Sequence, residues 1–297
     1  MLKIESKNNL QPKQYLSNKF RDITLNRNPK IYRPSSEPFI SGDTLRKKST
    51  HIFDETKTLN PRKVNKNDIV FIKTELKDIY FKNYHSKIEA PYILICHNSD
   101  DNFDEESKLN LDEKIIHCFA QNLNIDSSKQ ISPLPIGFEN RRYRSNGKVS
   151  NLQNALQLNY KKKDKIFCSF NKNTNYQKRN EILNQIKSKE NFVFKTFDNN
   201  FEYLKELSKY KFSLCPPGNG LDTHRVWESL LVGTIPIVED NVLNNNFIKM
   251  GVPLLLFRTI DEIEQNISNS THIDTNNSIK FSQIEYWWNI IQGKKII

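Results

Sequence analysis

From residue 166 onward the chain alternates between short apolar runs and amphipathic stretches, and that alternation leaves few folds open. IFCSFN (166–171), FVFKTF (192–197), KFSLCPP (211–217), TIPIVED (234–240) and VPLLLF (252–257) have the length and the β-branched or aromatic content of strands. Between them, YQKRNEILNQIKSKE (176–190) sets Ile182, Leu183 and Ile186 on one helical face, and FEYLKELSKY (201–210) reads as a second helix. Strand and helix in alternation predict an α/β domain built on a parallel sheet. Earlier, DIVFIKT (68–74), YILICHN (92–98) and IIHCFAQN (115–122) are near-continuously apolar, as strands buried on both faces of a parallel sheet must be. ISPLPIGF (131–138) carries two prolines, which confines it to a sheet edge or a loop.

The remaining segments frame these runs. Residues 1–65 are polar and proline-bearing, and the expectation is that they wrap onto a domain rather than form one. Within them GDTLRKKSTHIFDE (42–55) reads as a short helix capped by Asp43. GKVSNLQNALQLNYKKKDK (147–165) reads as a linker with helical character, and its lysine run as a solvated one. SIKFSQIEYWWNIIQG (278–293) is an aromatic-rich amphipathic helix. The division expected is 1–155, 156–275 and a final helical piece, 276–297.

Composition narrows the classes of partner. A net charge of +11 favours anionic ligands, whether nucleic acid, a membrane surface or phosphorylated small molecules. The basic residues are scattered, and no alternation of aromatic and basic residues marks an RNA-binding surface, so nucleic acid is not expected. Cys96, Cys118, Cys168 and Cys215 each lie in an apolar run with no CxxC pair, as buried reduced thiols do. A zinc site drawn from Cys96, His97, His117 and Cys118 is the weaker reading. The N-terminus MLKIESKNNLQPKQYL lacks the apolar stretch of a secretory signal, and no apolar run reaches the roughly 18 residues that span a bilayer. The expectation is a soluble cytoplasmic protein, with peripheral membrane contact left open.

One stretch concentrates the chemistry. LCPPGNGLDTHRVWESLLVGTIPIV (214–238) holds three of the eight glycines and three of the twelve prolines. It reads as strand, glycine turn, helix, strand, with Gly218 and Gly220 supplying φ > 0, Asp222 capping the helix and Gly233 closing it in the left-handed conformation. Ligands of open α/β sheets bind beyond the carboxyl ends of strands, and a helix N-terminus offers free amides and about half a positive charge. Gly218, Asn219, Gly220, Asp222, His224 and Arg225 therefore read as a phosphate cradle, with Glu228 one turn deeper to accept hydrogen bonds from a ribose. The alternative is a capped surface helix on which Arg225 and Glu228 pair with each other. The stretch is neither a Walker A loop nor a GxGxxG fingerprint.

The longer block SKYKFSLCPPGNGLDTHRVWESLLVGTIPIV (208–238) resembles the nucleotide-sugar motif of exostosin-type glycosyltransferases and their short bacterial and viral relatives. Ser208, Lys209, Phe212, Leu214, Pro216, Gly218, Arg225, Glu228, Leu230, Gly233, Ile235 and Pro236 occupy the motif positions, and Ser229 stands where alanine is usual. The resemblance covers about thirty residues. It implies a GT-B architecture: two Rossmann-like domains about a cleft, an acceptor-side domain first, a nucleotide-sugar domain second, and a last helix returning to the first. The implied activity is glycosyl transfer from a nucleotide-diphosphate sugar to a glycan or other hydroxyl acceptor, with inversion and with no cofactor. Such chemistry needs positive charge for the leaving diphosphate and a base for the attacking hydroxyl. Arg225 and the turn amides fit the first role; Arg141 and Arg142, after a strand end, either reach across the cleft to the same phosphates or are solvent-exposed surface arginines. Glu139, His97, Asp100 and Asp101 are the base candidates. No Asp-x-Asp occurs in the chain, so no metal is expected. A non-catalytic sugar- or nucleotide-binding relative and, further off, a basic nucleic-acid-binding protein are the competing readings.

Overall fold

The computed structural model describes residues 33–143, 146–269 and 277–294. The N-terminal stretch MLKIESKNNLQPKQYL and the expected boundary at 275 lie outside the described residues. Two five-stranded parallel sheets organise the chain. The first contains β1 (His51–Phe53), β2 (Ile69–Lys73), β3 (Tyr92–His97), β4 (Ile115–Ala120) and β5 (Ile131–Pro133), side by side in chain order. In register, Phe71 faces Ile95 and Ile95 faces Phe119, three side chains with almost no exposure. Burial on both faces is why these strands read as unbroken apolar runs. The proline-bearing β5 sits at the sheet edge, as its missing N–H groups require.

The second sheet contains β6 (Lys163–Cys168), β7 (Phe192–Phe194), β8 (Tyr210–Leu214), β9 (Ile235–Glu239) and β10 (Leu255–Phe257), in the order β10-β9-β8-β6-β7. Strand order reverses between β6 and β8. Diverging connections at such a point open a crevice at the carboxyl ends of the two strands, where ligands of open α/β sheets bind.

The N-terminal region is more than a wrapping. Helix α1 (Gly42–Lys48) is capped by Ser41, whose side chain accepts from the Thr44 amide, and it ends before β1, which joins the first sheet. Asp43, the expected cap, is instead the second helical residue and is fully buried against Arg33 and Arg142. The segment after the first sheet forms helix α4 (Val149–Ala155), following α2 (Lys77–Asn83) and the single-turn α3 (Glu105–Lys108). Asn151 of α4 donates to Asn200 of α6 (Asn200–Leu207) in the second domain, 3.3 Å away. Lys162, in the run read as a solvated linker, buries its ammonium against the carbonyls of Ser208, Tyr210 and Val232 and the Thr234 hydroxyl. Burial lowers its pKa to about 8.

The C-terminal segment ties the domains together. Ser278 donates to the Leu230 carbonyl in the second domain (3.0 Å), and the Ile284 amide donates to Pro38 in the first (2.9 Å). The last helix (Ile284–Ile291) follows, and Ile290 and Ile291 line a cavity with Ile69, Ile93 and Phe119 of the first sheet. Trp287 of this helix meets Trp227 edge-on at 5.9 Å, and both rings are fully buried. The returning helix thus backs, through Trp227, the helix that follows the glycine turn of the second domain. Among the described residues no helix is long and apolar enough to cross a membrane.

Candidate functional site

Helix α7 (His224–Leu231) rises from the turn after β8, beside the β6–β8 reversal. Its inner face buries Val226, Trp227, Leu230 and Leu231. The opposite face lies along a cavity of about 270 Å³ between the two domains, lined by residues from both. The cavity brings together Gly218, Asn219, Gly220, Asp222, His224, Arg225, Glu228, Glu139 and Asp100.

The glycines serve space rather than backbone handedness. Gly233 adopts φ +65° and closes α7 as expected, but neither Gly218 nor Gly220 has a positive φ. A Cβ on Gly220 would lie 2.6 Å from the Asn122 side-chain amide, and one on Gly218 3.2 Å from the Arg179 guanidinium. Asn122, in the turn two residues past the end of β4, is in the left-handed conformation (φ 51°) and reaches across from the first domain, where its Oδ1 accepts from the Asp222 amide at 2.9 Å.

Asp222 is not the cap of α7. Thr223 holds that position without a side-chain hydrogen bond. Asp222 turns inward because the buried Trp227 indole N–H needs an acceptor and lies within reach of its carboxylate, 2.9 Å away. The same carboxylate accepts from the Thr223 amide at 2.8 Å and, across the domain boundary, from the Ile136 amide at 2.7 Å. Burial pushes the Asp222 carboxyl up to about 6, a rise that these three donors limit. His224 makes a second link, with Nδ1 donating to the Gly137 carbonyl at 2.7 Å, and Asn219 a third, donating to Asp100 at 3.3 Å.

Arg225 projects over the Phe170 ring, 5.9 Å from its centroid. No described hydrogen bond or ion pair engages its guanidinium, and its Nε is buried without a partner. The surface pair with Glu228 is not made. Arg179, from helix α5 (Tyr176–Ile186), packs over the same ring at 5.6 Å. It donates to the carbonyls of Pro217 (2.9 Å), Pro216 (3.1 Å) and Asn171 (2.8 Å) and to the Thr174 hydroxyl, clamping the turns after β6 and β8 together. Burial, reinforced by Arg225, lowers its pKa to about 10. Sequence reading passes over Arg179, yet a signal exists: it shares the i, i+3, i+7 face of Ile182 and Ile186, where a charge needs a buried partner. Glu228 is buried one turn into α7, its pKa raised by burial and pulled back by His224 and Arg225.

Four expected site residues do not reach the cavity. His97 is buried with both ring nitrogens engaged: Nε2 donates to Pro135 (2.9 Å) and Nδ1 accepts from the Asn98 amide (2.7 Å). Burial lowers its pKa to about 4, and it has no free lone pair for a substrate proton. Arg142 turns back into the first domain beside Asp43 (3.5 Å), because that fully buried carboxylate needs counter-charge. Arg141, the residue before it in the same turn, is exposed. Asp101 is exposed and does not line the cavity. His117 bonds to Ser132 and Lys129, away from His97, so the two Cys-His pairs do not converge. Among the described residues no three His, Cys, Asp or Glu side chains gather as metal ligands.

The family model of the RXYLT1 C-terminal domain matches residues 143–263, which include the β6–β8 reversal and all of α7. No curated protein sequence matches the chain. Among solved structures, a GtfA/B complex aligns with a TM-score of 0.40 at 13% identity, over 77% of this chain and 58% of that one. The pneumococcal O-GlcNAc transferase GtfA, in complex with UDP and GlcNAc, aligns with a TM-score of 0.37 at 12% identity, over 77% and 57%. An α,α-trehalose-phosphate synthase (UDP-forming) from Burkholderia vietnamiensis aligns with a TM-score of 0.35 at 9% identity, over 95% and 76%. The chain thus spans less than three-fifths of the first two. At these TM-scores the likenesses add nothing to the fold, which rests on the two sheets themselves.

Proposed function

We propose that the protein transfers a sugar from a nucleotide-diphosphate sugar to a hydroxyl acceptor. The observation that carries this reading is the unpaired Arg225 guanidinium, held beside the buried Arg179 at the start of α7. Two cations over one aromatic ring repel each other, and the helix dipole adds to the repulsion. A diphosphate in the cavity offsets all three. It would take Arg225 by charge-assisted hydrogen bonds and the amides of the 218–220 turn by their N–H groups. Glu228, buried one turn deeper, supplies the acceptor that ribose hydroxyls seek. The matched family model and the motif resemblance support the same substrate class.

Binding of this kind is catalytic when it stabilises the charge that develops on the leaving diphosphate. Arg225 and the turn amides have that role. The acceptor hydroxyl enters from the first-domain side, where Glu139 and Asp100 face the cavity. Direct displacement gives inversion. With arginine and amides at the phosphates and no Asp-x-Asp in the chain, the reaction proceeds without an essential metal or other cofactor. The acceptor is a glycan or a comparable hydroxyl compound. Four buried, unbridged thiols fit a cytoplasmic, reducing setting.

Thermal melting with UDP, GDP, ADP and CDP tests the reading, in the wild type and in Arg225→Ala, with and without chelator. A ligand that binds only the folded chain at 100 times its Kd stabilises it by about 2.7 kcal/mol. A shift with one nucleotide, unmoved by chelator and lost in Arg225→Ala, is the expected result. The absence of any shift at millimolar nucleotide refutes it.

A further inference from the structure

Given a nucleotide sugar in this cavity, we propose that His224 is the base that takes the acceptor's proton, and that docking of the two domains assembles it. His224 is the first residue of α7 in the second domain, yet its ring reaches the loop after β5 in the first. A carbonyl oxygen only accepts, so the 2.7 Å contact with Gly137 fixes the proton of the neutral ring on Nδ1. The lone pair is thereby left on Nε2. That nitrogen lies 3.9 Å from Glu139 Oε1, too far for a hydrogen bond but near enough to stabilise an imidazolium. About a third of the His224 side chain is open, and it lines the cavity with Arg225 and Glu228.

The position suits the task. Arg225, the next residue, would hold the diphosphate, so the anomeric carbon lies near His224. Gly137 and Glu139 belong to the domain from which an acceptor enters. The alternatives are less well placed. Both nitrogens of His97 are engaged, and Asp100 is exposed and bonded to Asn219. The charged groups around His224 come from every neighbouring element: Glu139 after β5, Asp222 in the turn, Arg225 and Glu228 on its own helix, and Arg179 and Asp100 elsewhere on the cavity wall. His97, at the end of β3, is kept neutral by burial. In the step itself, the acceptor oxygen forms a bond to the anomeric carbon. The bond from that carbon to the β-phosphate oxygen breaks, and its electron pair leaves with the nucleoside diphosphate. The hydroxyl proton passes to Nε2 and then to water.

The test uses the full chain in wild type, His224→Asn, Glu139→Gln and Arg225→Ala. Melting with UDP and GDP comes first. His224→Asn should keep the wild-type nucleotide shift, since an Asn amide can still donate to Gly137, whereas Arg225→Ala loses it. A lost shift in His224→Asn makes the ring a phosphate ligand and overturns the proposal. Release of UDP or GDP from their sugar conjugates, with water as acceptor, is then followed against pH. In the wild type kcat should rise with pH, because the base acts only when its Nε2 is unprotonated, and His224→Asn should lower it on the order of 100-fold or more with KM little changed. Glu139→Gln should move the rising limb to lower pH without abolishing it, because an imidazolium without its carboxylate is less stable. A rate that falls with pH, a His224→Asn enzyme of wild-type rate, or an abolished rate confined to Glu139→Gln each overturns the assignment. If the wild type binds a nucleotide but turns over none of its sugar conjugates, the transferase reading fails, and the base with it.

Discussion

The glycines of the 214–238 stretch provide the sharpest test, because two of them predict different outcomes for the same substitution. In Gly220→Ala the new Cβ would stand 2.6 Å from Asn122 Nδ2 and 3.1 Å from both Cγ and Oδ1. The Asn122 amide is fully buried and doubly bonded, donating to Ser99 at 3.2 Å and accepting from the Asp222 amide at 2.9 Å. Rotating it away from a methyl group breaks at least one of these bonds. Each buried polar group left without a partner costs about 1–3 kcal/mol. Gly→Ala regains only about 0.4–1 kcal/mol through the unfolded chain. One broken bond leaves both of its partners unpaired, so the net expectation is a loss of about 1–5 kcal/mol. In Gly218→Ala the Cβ meets the end of the Arg179 side chain at 3.2 Å and the Thr223 methyl at an ordinary 4.0 Å, and the change should lie within about 1 kcal/mol of neutral. For a chain of this size 1 kcal/mol moves the melting point by about 2 °C, so differential scanning calorimetry at neutral pH separates the two variants. Because Asn122 belongs to the first domain, Gly220→Ala should also weaken any nucleotide-induced shift. Equal destabilisation by both substitutions would mean that the glycines serve backbone conformation. A neutral Gly220→Ala would mean that the domains do not meet at Asn122.

Three further outcomes follow from the same geometry. Arg225→Ala should leave the melting point of the free protein unchanged or raise it slightly, since it removes repulsion with Arg179, and calorimetry without ligand shows this directly. The folded state holds the Asp222 proton more tightly than the unfolded state does, at about 6 against an ordinary 3.8, so its contribution is complete below about pH 4 and is lost as pH rises through 6. That decline, up to about 3 kcal/mol, should appear in melting curves between pH 4 and 6.5 and flatten in Asp222→Asn. Arg142→Ala should destabilise the chain by about 3 kcal/mol, by stripping the fully buried Asp43 of one of its counter-charges, and should leave nucleotide-induced shifts intact. Urea unfolding and ligand melting read the two halves of this last expectation separately.

The sequence by itself determined the elements and the chemistry they carry. Runs such as IVFIK call for burial on both faces, as in a parallel sheet, and from residue 166 onward the alternation of strands with helices called for a second one. The PPGNG turn followed by a helix bearing His224, Arg225 and Glu228 was legible because proline, glycine and helical period are local properties. What faces a side chain is not local, and there only the tertiary structure decided. Asp222 has the chemistry of a cap, but the buried Trp227 indole and the Ile136 amide of another domain outbid the helix end for its carboxylate. Gly218 and Gly220 follow a strand as turn glycines do, yet it is Arg179 and Asn122, 39 and 98 residues earlier, that require the missing Cβ. Arg142 looks like a cleft cation until the buried Asp43 is seen to need it. His97 and His224 are alike as letters, and only the partners of their ring nitrogens separate a sealed structural imidazole from one with a lone pair in the cavity.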